Sequence, residues 1–135
     1  MVKNLLDGTF VELNEMTGRV IGAAIEVHKV LGPGLLESIY EECLSYELEA
    51  RKIPHERQKE IPIDYKGVKL GCGYRIDLLV EEKIILEIKS CESILPIHEA
   101  QLLTYLKMKQ CKLGFILNWN VPRMKDGIKR MVNNL

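Results

Sequence analysis

The sequence predicts an α/β fold in which helices flank a central mixed sheet of four to five strands. Apolar residues recur at helical spacing in 20–31 and 35–52, whereas from 61 to 89 they have the period of two that is typical of strands. Pro96 then opens another helical segment, and a short apolar run comes after it at 113–117. Helical and strand segments in this order indicate a sheet covered by helices.

The boundaries of the elements carry their own signals. Gly32-Pro33-Gly34 ends the first helix, and Pro54 comes after the second. Lys66-Gly67 makes a turn, and Gly71 and Gly73 separate the hairpin around this turn from the next strands. The predicted helices are 20–31, 35–52, 96–109 and 123–133, and the predicted strands are 61–65, 68–70, 74–80, 84–89 and 113–117.

The bulk composition limits the classes of function. With 135 residues the chain has the length of one domain. Lys and Arg together number 19, as do Asp and Glu, so a nucleic-acid partner would have to be held by a local basic patch. The predicted patch, whose alternative is an ordinary solvated face, consists of Lys107, Lys109, Lys112, Arg123, Lys125, Lys129 and Arg130.

Targeting and cysteine patterns favour a cytoplasmic protein. The first residues, MVKNLLDGTFVELNE, contain no apolar core long enough for a signal peptide, and no run approaches the ~20 apolar residues of a membrane span. The cysteines at 43, 72, 91 and 111 form no C-x-x-C pair and have no histidine at zinc-ligand spacing. We expect reduced thiols that mostly fill the core.

The segment RIDLLVEEKIILEIKS at 75–90 contains two apolar runs joined by charged residues. If Glu81-Glu82-Lys83 is a three-residue hairpin loop, Val80 lies opposite Ile84 and the antiparallel pairing continues from there. One face of the pair is then aliphatic and is predicted to be the core. Its members are Ile76, Leu78, Val80, Ile84, Leu86 and Ile88.

The same register brings like charges together on the other face of the sheet. Asp77 lies opposite Glu87, and Arg75 opposite Lys89, which destabilises an antiparallel pair. A divalent metal between the two carboxylates would relieve their repulsion, and Mg²⁺ prefers such oxygen ligands. The alternative is a solvent-facing lattice in which the four side chains pair diagonally, as surface ion pairs commonly do.

These residues resemble the signature of the PD-(D/E)XK nuclease superfamily, which has an Asp, about ten residues, and then Glu-x-Lys on the next strand. Here the signature reads Asp77 and then Glu87-Ile88-Lys89. More narrowly, the chain is similar to the small prokaryotic GxxExxxR family of that superfamily, from about Val20 to Val132. The similar segments are HKVLGPGLLESIYEECLSYEL, YRIDLLVEEKIILEIKS, HEAQLLTYLKM and GIKRMV.

The resemblance implies a restriction-endonuclease-like core and Mg²⁺-dependent hydrolysis of phosphodiester bonds in nucleic acid, with DNA as the expected substrate and Mn²⁺ as a substitute metal. Asp77, Glu87 and the Ile88 carbonyl would be metal ligands. Lys89 would orient the attacking water and stabilise charge on the phosphate. Glu37 matches a helical Glu that many superfamily members bring to the metal; its alternative role is that of an acid favoured by the helix dipole.

A second pair of residues lies on the next predicted helix. Gln101 and Tyr105 match the Q-x-x-x-Y pair of exonuclease branches, and at this spacing they share a helix face with His98. The alternative is a polar edge of the helix–sheet contact, which we favour for His98. One position departs from the family pattern, because Glu41 stands where the family name implies an Arg.

A second class of function stays open. A catalytically silent module of the same fold would bind nucleic acid or a protein partner without cleaving anything. A neutral chain of this size could also need a second copy of itself or a protein partner to hold its substrate. The intact set of Asp77, Glu87 and Lys89 argues against simple loss of activity, and metal binding would separate the two classes.

Overall fold

The structure is a computed structural model that describes residues 9–135, which form three α-helices, one short 3₁₀ helix and five strands. In chain order the elements are α1 (Thr9–Leu31), α2 (Glu37–Ala50), β1 (His55–Tyr65), β2 (Val68–Val80), β3 (Ile84–Lys89), α3 (Pro96–Lys109), β4 (Leu113–Asn118), the 3₁₀ helix Met124–Gly127 and β5 (Ile128–Val132).

The strands form one mixed sheet in the order β1-β2-β3-β4-β5. Neighbouring strands are antiparallel except β3 and β4, which are parallel. A parallel pair needs a crossover connection, and α3 supplies it. The predicted fold class, a mixed sheet of four to five strands flanked by helices, is confirmed.

The turn between α1 and α2 is fixed to the core by one aromatic side chain. Gly32 and Gly34 have φ angles of +70° and +94°, a region that glycine enters without steric cost. The Tyr40 hydroxyl donates to the Gly32 carbonyl at 2.6 Å and accepts from the Leu35 N–H at 3.1 Å. The Tyr40 ring stacks on Trp119 with centroids 4.8 Å apart, so the turn is held at one end of the sheet.

Both faces of the sheet are apolar, and β3 is buried on both of them. The face under α1 and α2 takes its sheet residues from Leu78, Val80, Ile84, Leu86, Ile88, Leu113, Phe115 and Leu117. On the other side, the core between the sheet and α3 consists of sheet and helix residues together: Ile61, Ile76, Leu79, Ile85, Leu102, Tyr105, Leu106, Cys111 and Ile116. The expectation of one core face and one charged face is therefore wrong, because α3 covers the second face.

Ile76 also lies on the other face from the one predicted. It packs with Leu79 and Ile85 and not with Leu78 and Val80. The pairing of β1 with β2 runs through Arg57–Leu78 and Lys59–Ile76 but omits the position between them, where Gln58 has a φ of +52°. The regular alternation of faces does not continue through this irregular point.

The hairpin between β2 and β3 has the predicted loop and register. Val80 pairs with Ile84, and the ladder continues to Leu78 and Leu86, where it ends. The prediction that Arg75 lies opposite Lys89 is wrong, because the strands separate before they reach that point. The Arg75 guanidinium instead pairs with Glu60 of β1 at 2.9 Å.

The predicted strands 68–70 and 74–80 are one continuous strand, β2, and β1 begins at residue 55, earlier than predicted. The glycines between the two predicted strands therefore lie inside β2. At Gly73 a β-carbon would sit 2.1 Å from the Ile61 carbonyl oxygen, so this glycine permits close approach of β1 and does not mark a strand end.

The predicted terminal helix at 123–133 is wrong, because the segment forms a 3₁₀ turn and then β5. Ile128 packs against the core under α1 and α2, and Met131 against the core under α3. Residues three apart share a face in a helix but lie on opposite faces in a strand. Strand β5 also supplies hydrogen-bond partners to the open edge of β4, which a helix could not do.

Two expectations concern thiols and membranes. Cys43, Cys91 and Cys111 are free thiols, of which only Cys111 is buried, and the side chain of Cys72 lies outside the described part. Within residues 9–135, no helix combines the length and the apolar composition needed to cross a bilayer.

The β2–β3 turn generates a prediction about stability. Glu81 and Glu82 have φ angles of +54° and +59°, a region that costs side chains other than Gly, Asn and Asp roughly 1 kcal/mol or more per residue. Replacing them by Asn and Gly, the residues that such a turn favours, should raise the free energy of unfolding by about 1 kcal/mol. Urea denaturation measures the change.

The matched control is Lys109→Ala, because Glu82 also forms an ion pair with Lys109 at 3.3 Å, which the turn variant loses. If the turn variant is less stable than Lys109→Ala, the backbone of this turn is not strained in the way its φ angles indicate.

Candidate active site

Asp77 and Glu87 meet where the β2–β3 ladder ends. The Asp77 N–H donates to Glu87 Oε2 at 3.0 Å, and the Ile88 N–H donates to Asp77 Oδ2 at 2.8 Å. Each carboxylate therefore accepts a backbone N–H from the neighbouring strand. Buried N–H groups need acceptors, and here side chains take the place of the carbonyls that a continued ladder would provide. The two predicted acids thus lie on adjacent antiparallel strands, and each is hydrogen-bonded to the backbone of the other's strand.

The surroundings of the two carboxylates disfavour their ionised forms, chiefly because both side chains are buried or half-buried. Glu87 is 4% exposed, and burial, with repulsion from Asp77 as the second cause, raises its pKa to about 8. Burial also raises the pKa of Asp77, and the nearby charge of Glu41 adds to that rise. The positive charge of Lys89 acts in the opposite direction on the pKa of both carboxyls.

Lys89 is the last residue of β3, and the side chain of Glu37, the first residue of α2, reaches this strand end. The half-buried Lys89 is followed by Ser90, whose N–H donates to Glu37 Oε2 at 3.0 Å. The Ser90 hydroxyl donates to the Leu35 carbonyl at 2.7 Å, so two bonds join the start of α2 to this strand end. Among the hydrogen bonds of the described chain, none joins Glu37 to Asp77 or Glu87.

Of the predicted residues on α3, Tyr105 lies close enough to the two acids for their charges to act on its pKa. It is buried, and its pKa is raised to about 12 by burial first and then by the charges of Glu87 and Asp77. Gln101 is half-buried one turn earlier on the same helix. His98 caps the N-terminus of α3, because its Nδ1 accepts a hydrogen bond from the Leu95 N–H at 3.1 Å.

Three residues that sequence reasoning gave no role lie beside Asp77. Glu41 is 7% exposed and accepts hydrogen bonds from Gln58 Nε2 at 2.6 Å and from Arg57 Nε at 3.1 Å. The same Gln58 nitrogen lies 3.4 Å from Asp77 Oδ1. Glu41 stands at the position where the family name implies an Arg. In the structure, the guanidinium of Arg57 on β1 lies against the Glu41 carboxylate. The departure itself was the only sequence signal at this place.

The proposed diagonal lattice of ion pairs does not form. In the described part of the chain, no lysine or arginine makes an ion pair with Asp77 or Glu87, and Arg75 is paired with Glu60. The two acids therefore rely on backbone N–H groups and on Gln58 for their contacts.

The donor set can be tested against a hard divalent cation. Within residues 9–135, no three side chains of His, Cys, Asp or Glu are grouped so that they could hold a metal ion. Asp77 and Glu87 do meet as a pair, and burial raises the pKa of both, with the charges of neighbouring acids adding to the rise. Two such carboxylates fit Mg²⁺, which commonly takes one or two protein carboxylates and completes its shell with water and other oxygens.

The five-stranded mixed sheet, its flanking helices and the Asp…Glu-x-Lys pair on β2 and β3 define a protein of the restriction-endonuclease-like fold. The family model of the PD-(D/E)XK nuclease superfamily matches residues 14–131, and the chain belongs to that superfamily. No curated protein and no solved structure matched the chain.

The burial of Glu87 predicts how stability depends on pH. Its pKa is about 8 in the folded protein against 4.5 as the ordinary value, so the folded state binds a proton that the unfolded state has released. The contribution of Glu87 to stability is then fully present below about pH 4.5 and lost as the pH rises through 8. Without metal, the free energy of unfolding should fall across this range by on the order of a few kcal/mol.

Urea denaturation at several pH values in the presence of a chelator measures this fall. Glu87→Gln should remove most of it, because the amide oxygen still accepts the Asp77 N–H while the charge is gone. Glu92→Gln, at an exposed position, is the control and should keep the fall. A wild type whose stability stays level or rises over this range would contradict the assignment of a raised pKa to Glu87.

Proposed function

We propose that the protein is a divalent-metal-dependent nuclease that hydrolyses phosphodiester bonds of DNA. The observation that carries the proposal is the crosswise pair of Asp77 and Glu87, with Lys89 close enough to act on the pKa of both. Membership of the PD-(D/E)XK nuclease superfamily supports a nuclease over other uses of two adjacent carboxylates.

In this proposal Asp77, Glu87 and the Ile88 carbonyl hold Mg²⁺, for which Mn²⁺ substitutes. When bound, the cation neutralises charge on the scissile phosphate and makes water a stronger acid. The hydrogen bonds from Asp77 N–H and Ile88 N–H keep the two carboxylates side by side, so the ligands are oriented before any cation arrives.

The other predicted residues have supporting roles around this pair. Lys89 orients the attacking water and stabilises the charge that develops on the phosphate. Tyr105, with a pKa of about 12, keeps its proton at neutral pH and can donate a hydrogen bond towards the carboxylates or the phosphate. Gln101 presents its amide one turn away. Glu37, held by Ser90 at the strand end, would contact metal-bound water at the edge of the site.

The basic patch is proposed to contact the DNA backbone. Three of its members are partly neutralised by ion pairs, since Lys109 pairs with Glu82, Arg123 with Asp126 and Lys129 with Glu99. We also propose that the chain is a GxxExxxR protein within the superfamily, on the strength of Gly34, Glu37 and the four similar segments.

One observation favours the second candidate, a silent module that binds nucleic acid or a protein partner. In the described part of the chain only two carboxylates meet, and Glu37 makes its hydrogen bond to Ser90 and not to the pair. A site with two protein carboxylates would bind metal weakly unless substrate oxygens complete the shell. Metal binding and cleavage therefore have to be measured separately.

The first prediction of the proposal concerns metal and thermal stability. Because a cation offsets the repulsion between Asp77 and Glu87, Mg²⁺ or Mn²⁺ should raise the melting temperature of the wild type, by an amount that grows with metal concentration. At a free metal concentration of 100 times the dissociation constant, binding should raise the free energy of unfolding by about 2.7 kcal/mol. Thermal denaturation monitored by circular dichroism gives the shift.

Glu87→Gln should lose this response while melting at or above the metal-free wild-type temperature at pH 8. We prefer it to Asp77→Asn, because Asp77 accepts with both oxygens and an amide would lose one of these bonds. An equal response of wild type and Glu87→Gln to metal would show that the cation binds elsewhere.

The second prediction concerns catalysis by Lys89. If Lys89 stabilises the phosphate in the transition state, Lys89→Ala should lower turnover roughly 10²-fold or more. Affinity for Mn²⁺ should survive, because Lys89 is not a ligand. If it were an ordinary surface lysine, the change would be worth only ~0–1 kcal/mol. The assay is Mn²⁺-supported cleavage of single- and double-stranded DNA.

Glu87→Ala, purified in parallel, should be inactive and should bind metal poorly. Equal cleavage by the wild type and both variants would point to a contaminating nuclease and would remove the support for this site. Metal binding without cleavage by the wild type would favour the silent module.

A further inference from the structure

Gln58 adopts a backbone conformation that its residue type disfavours. It lies within β1 with a φ of +52°, opposite Asp77, at the position where the pairing of β1 with β2 is interrupted. Such a conformation is unfavourable for a residue other than glycine and persists only when the surrounding structure enforces it. Such conformations are found most often at functional sites, so the contacts of the Gln58 side chain deserve a functional explanation.

The Gln58 side chain joins two acids from different elements. Its Nε2 lies 2.6 Å from Glu41 Oε1 on α2 and 3.4 Å from Asp77 Oδ1 on β2. Ionised carboxylate oxygens only accept hydrogen bonds, so the NH₂ end of the amide must face both of them. Glu41 is in turn held from its other oxygen by Arg57 Nε at 3.1 Å. Arg57, Glu41, Gln58 and Asp77 therefore form one continuous chain of hydrogen bonds.

This chain completes the restraint on the Asp77 carboxylate. Oδ2 accepts the Ile88 N–H, and Oδ1 accepts from Gln58, so the carboxylate is held at both oxygens and cannot rotate freely. Residues that hydrogen-bond to a ligand orient it and commonly set metal affinity. Building on the proposed function, we infer that Gln58 and Glu41 are positioning residues that fix the Asp77 carboxylate for a divalent cation.

Stability alone gives no reason for this arrangement. Glu41 is a third acid, almost fully buried, beside Asp77 and Glu87, whose negative charges it repels. Burying an ionised acid costs free energy, of which the Arg57 guanidinium offsets only a part. The left-handed backbone of Gln58 adds a further cost. Two unfavourable features that converge on one ligand oxygen are typical of a site that is kept for function.

Two variants test the inference through Mn²⁺ affinity, measured by isothermal titration calorimetry on the chelator-treated full chain. Gln58→Met keeps the length of the side chain and removes its donor. Gln58→Asn keeps the amide and suits a left-handed backbone better, but it is one methylene too short to reach both acids. Each should weaken Mn²⁺ binding by about 10- to 100-fold.

Gln110→Met is the matched control, because Gln110 has a φ of +58° at the end of α3 and is exposed. It should leave Mn²⁺ affinity unchanged. Glu41→Gln should also weaken binding, and combined with Gln58→Met it should add little further loss, since both act through the same hydrogen bond to Asp77. Circular dichroism melting of each variant confirms that it is folded at the temperature of the titration.

The outcomes separate the inference from the proposed function. If the wild type binds Mn²⁺ and both Gln58 variants bind it equally well, the positioning role is overturned while the nuclease proposal stands. An equal loss in Gln110→Met would also overturn it, because the effect would then be general. If the wild type binds no Mn²⁺ alone or with DNA, the proposed function fails and the inference fails with it.

Discussion

The two hydrogen bonds by which the Asp77 and Glu87 carboxylates accept backbone N–H groups from each other's strands are the constraint on which the rest of the structure depends. Strands β2 and β3 separate after the pair Leu78–Leu86, and this leaves the N–H groups of Asp77 and Ile88 without ladder partners. The two carboxylates accept these groups at 3.0 and 2.8 Å. The same atoms therefore end the ladder and form the candidate site, so neither carboxylate can be removed without also exposing a backbone donor.

The two cores on either side of the sheet make this arrangement tolerable. Strand β3 is apolar and buried up to Ile88, with Glu87 as its one buried acid, and helices cover both faces. A slide by one residue would move Glu87 from the face under α3 to the face under α1 and α2, where it would lie inside the larger apolar core. The free energy of apolar burial thus holds two acids at a distance that their charges oppose. Burial first, and then the charge of Asp77, raises the pKa of Glu87 to about 8.

Elements that depend on local pattern could be predicted from the sequence, whereas elements that depend on contacts between distant segments could not. Helix α3 and strand β3 have the predicted bounds, because Pro96 and the period-two run are local signals. Strand β5 was mistaken for a helix because Ile128 and Met131 fit either period, and only the open edge of β4 decides between them.

The candidate site divides in the same way. The adjacency of Asp77 and Glu87 could be predicted from the length of the hairpin loop, whereas Tyr105 was named only through the resemblance to the Q-x-x-x-Y pair. The contacts of Gln58 could not be predicted, since they depend on an irregular backbone point in β1 and on a side chain of α2 that lies 17 residues away in the chain. A search for regular patterns passes over such a point, because a left-handed Gln inside a strand fits no pattern.

Position 41 shows why a departure from a family pattern has to be judged in space. By sequence, an acid stands where an Arg was expected, and the charge at that position is reversed. In the structure, the Arg57 guanidinium lies 3.1 Å from the Glu41 carboxylate, so the positive group is present but is contributed by β1. The exchange also adds an acceptor that an Arg could not provide, and Gln58 donates to it. A residue that looks like a loss in the sequence thus accepts hydrogen bonds from both Arg57 and Gln58 next to Asp77.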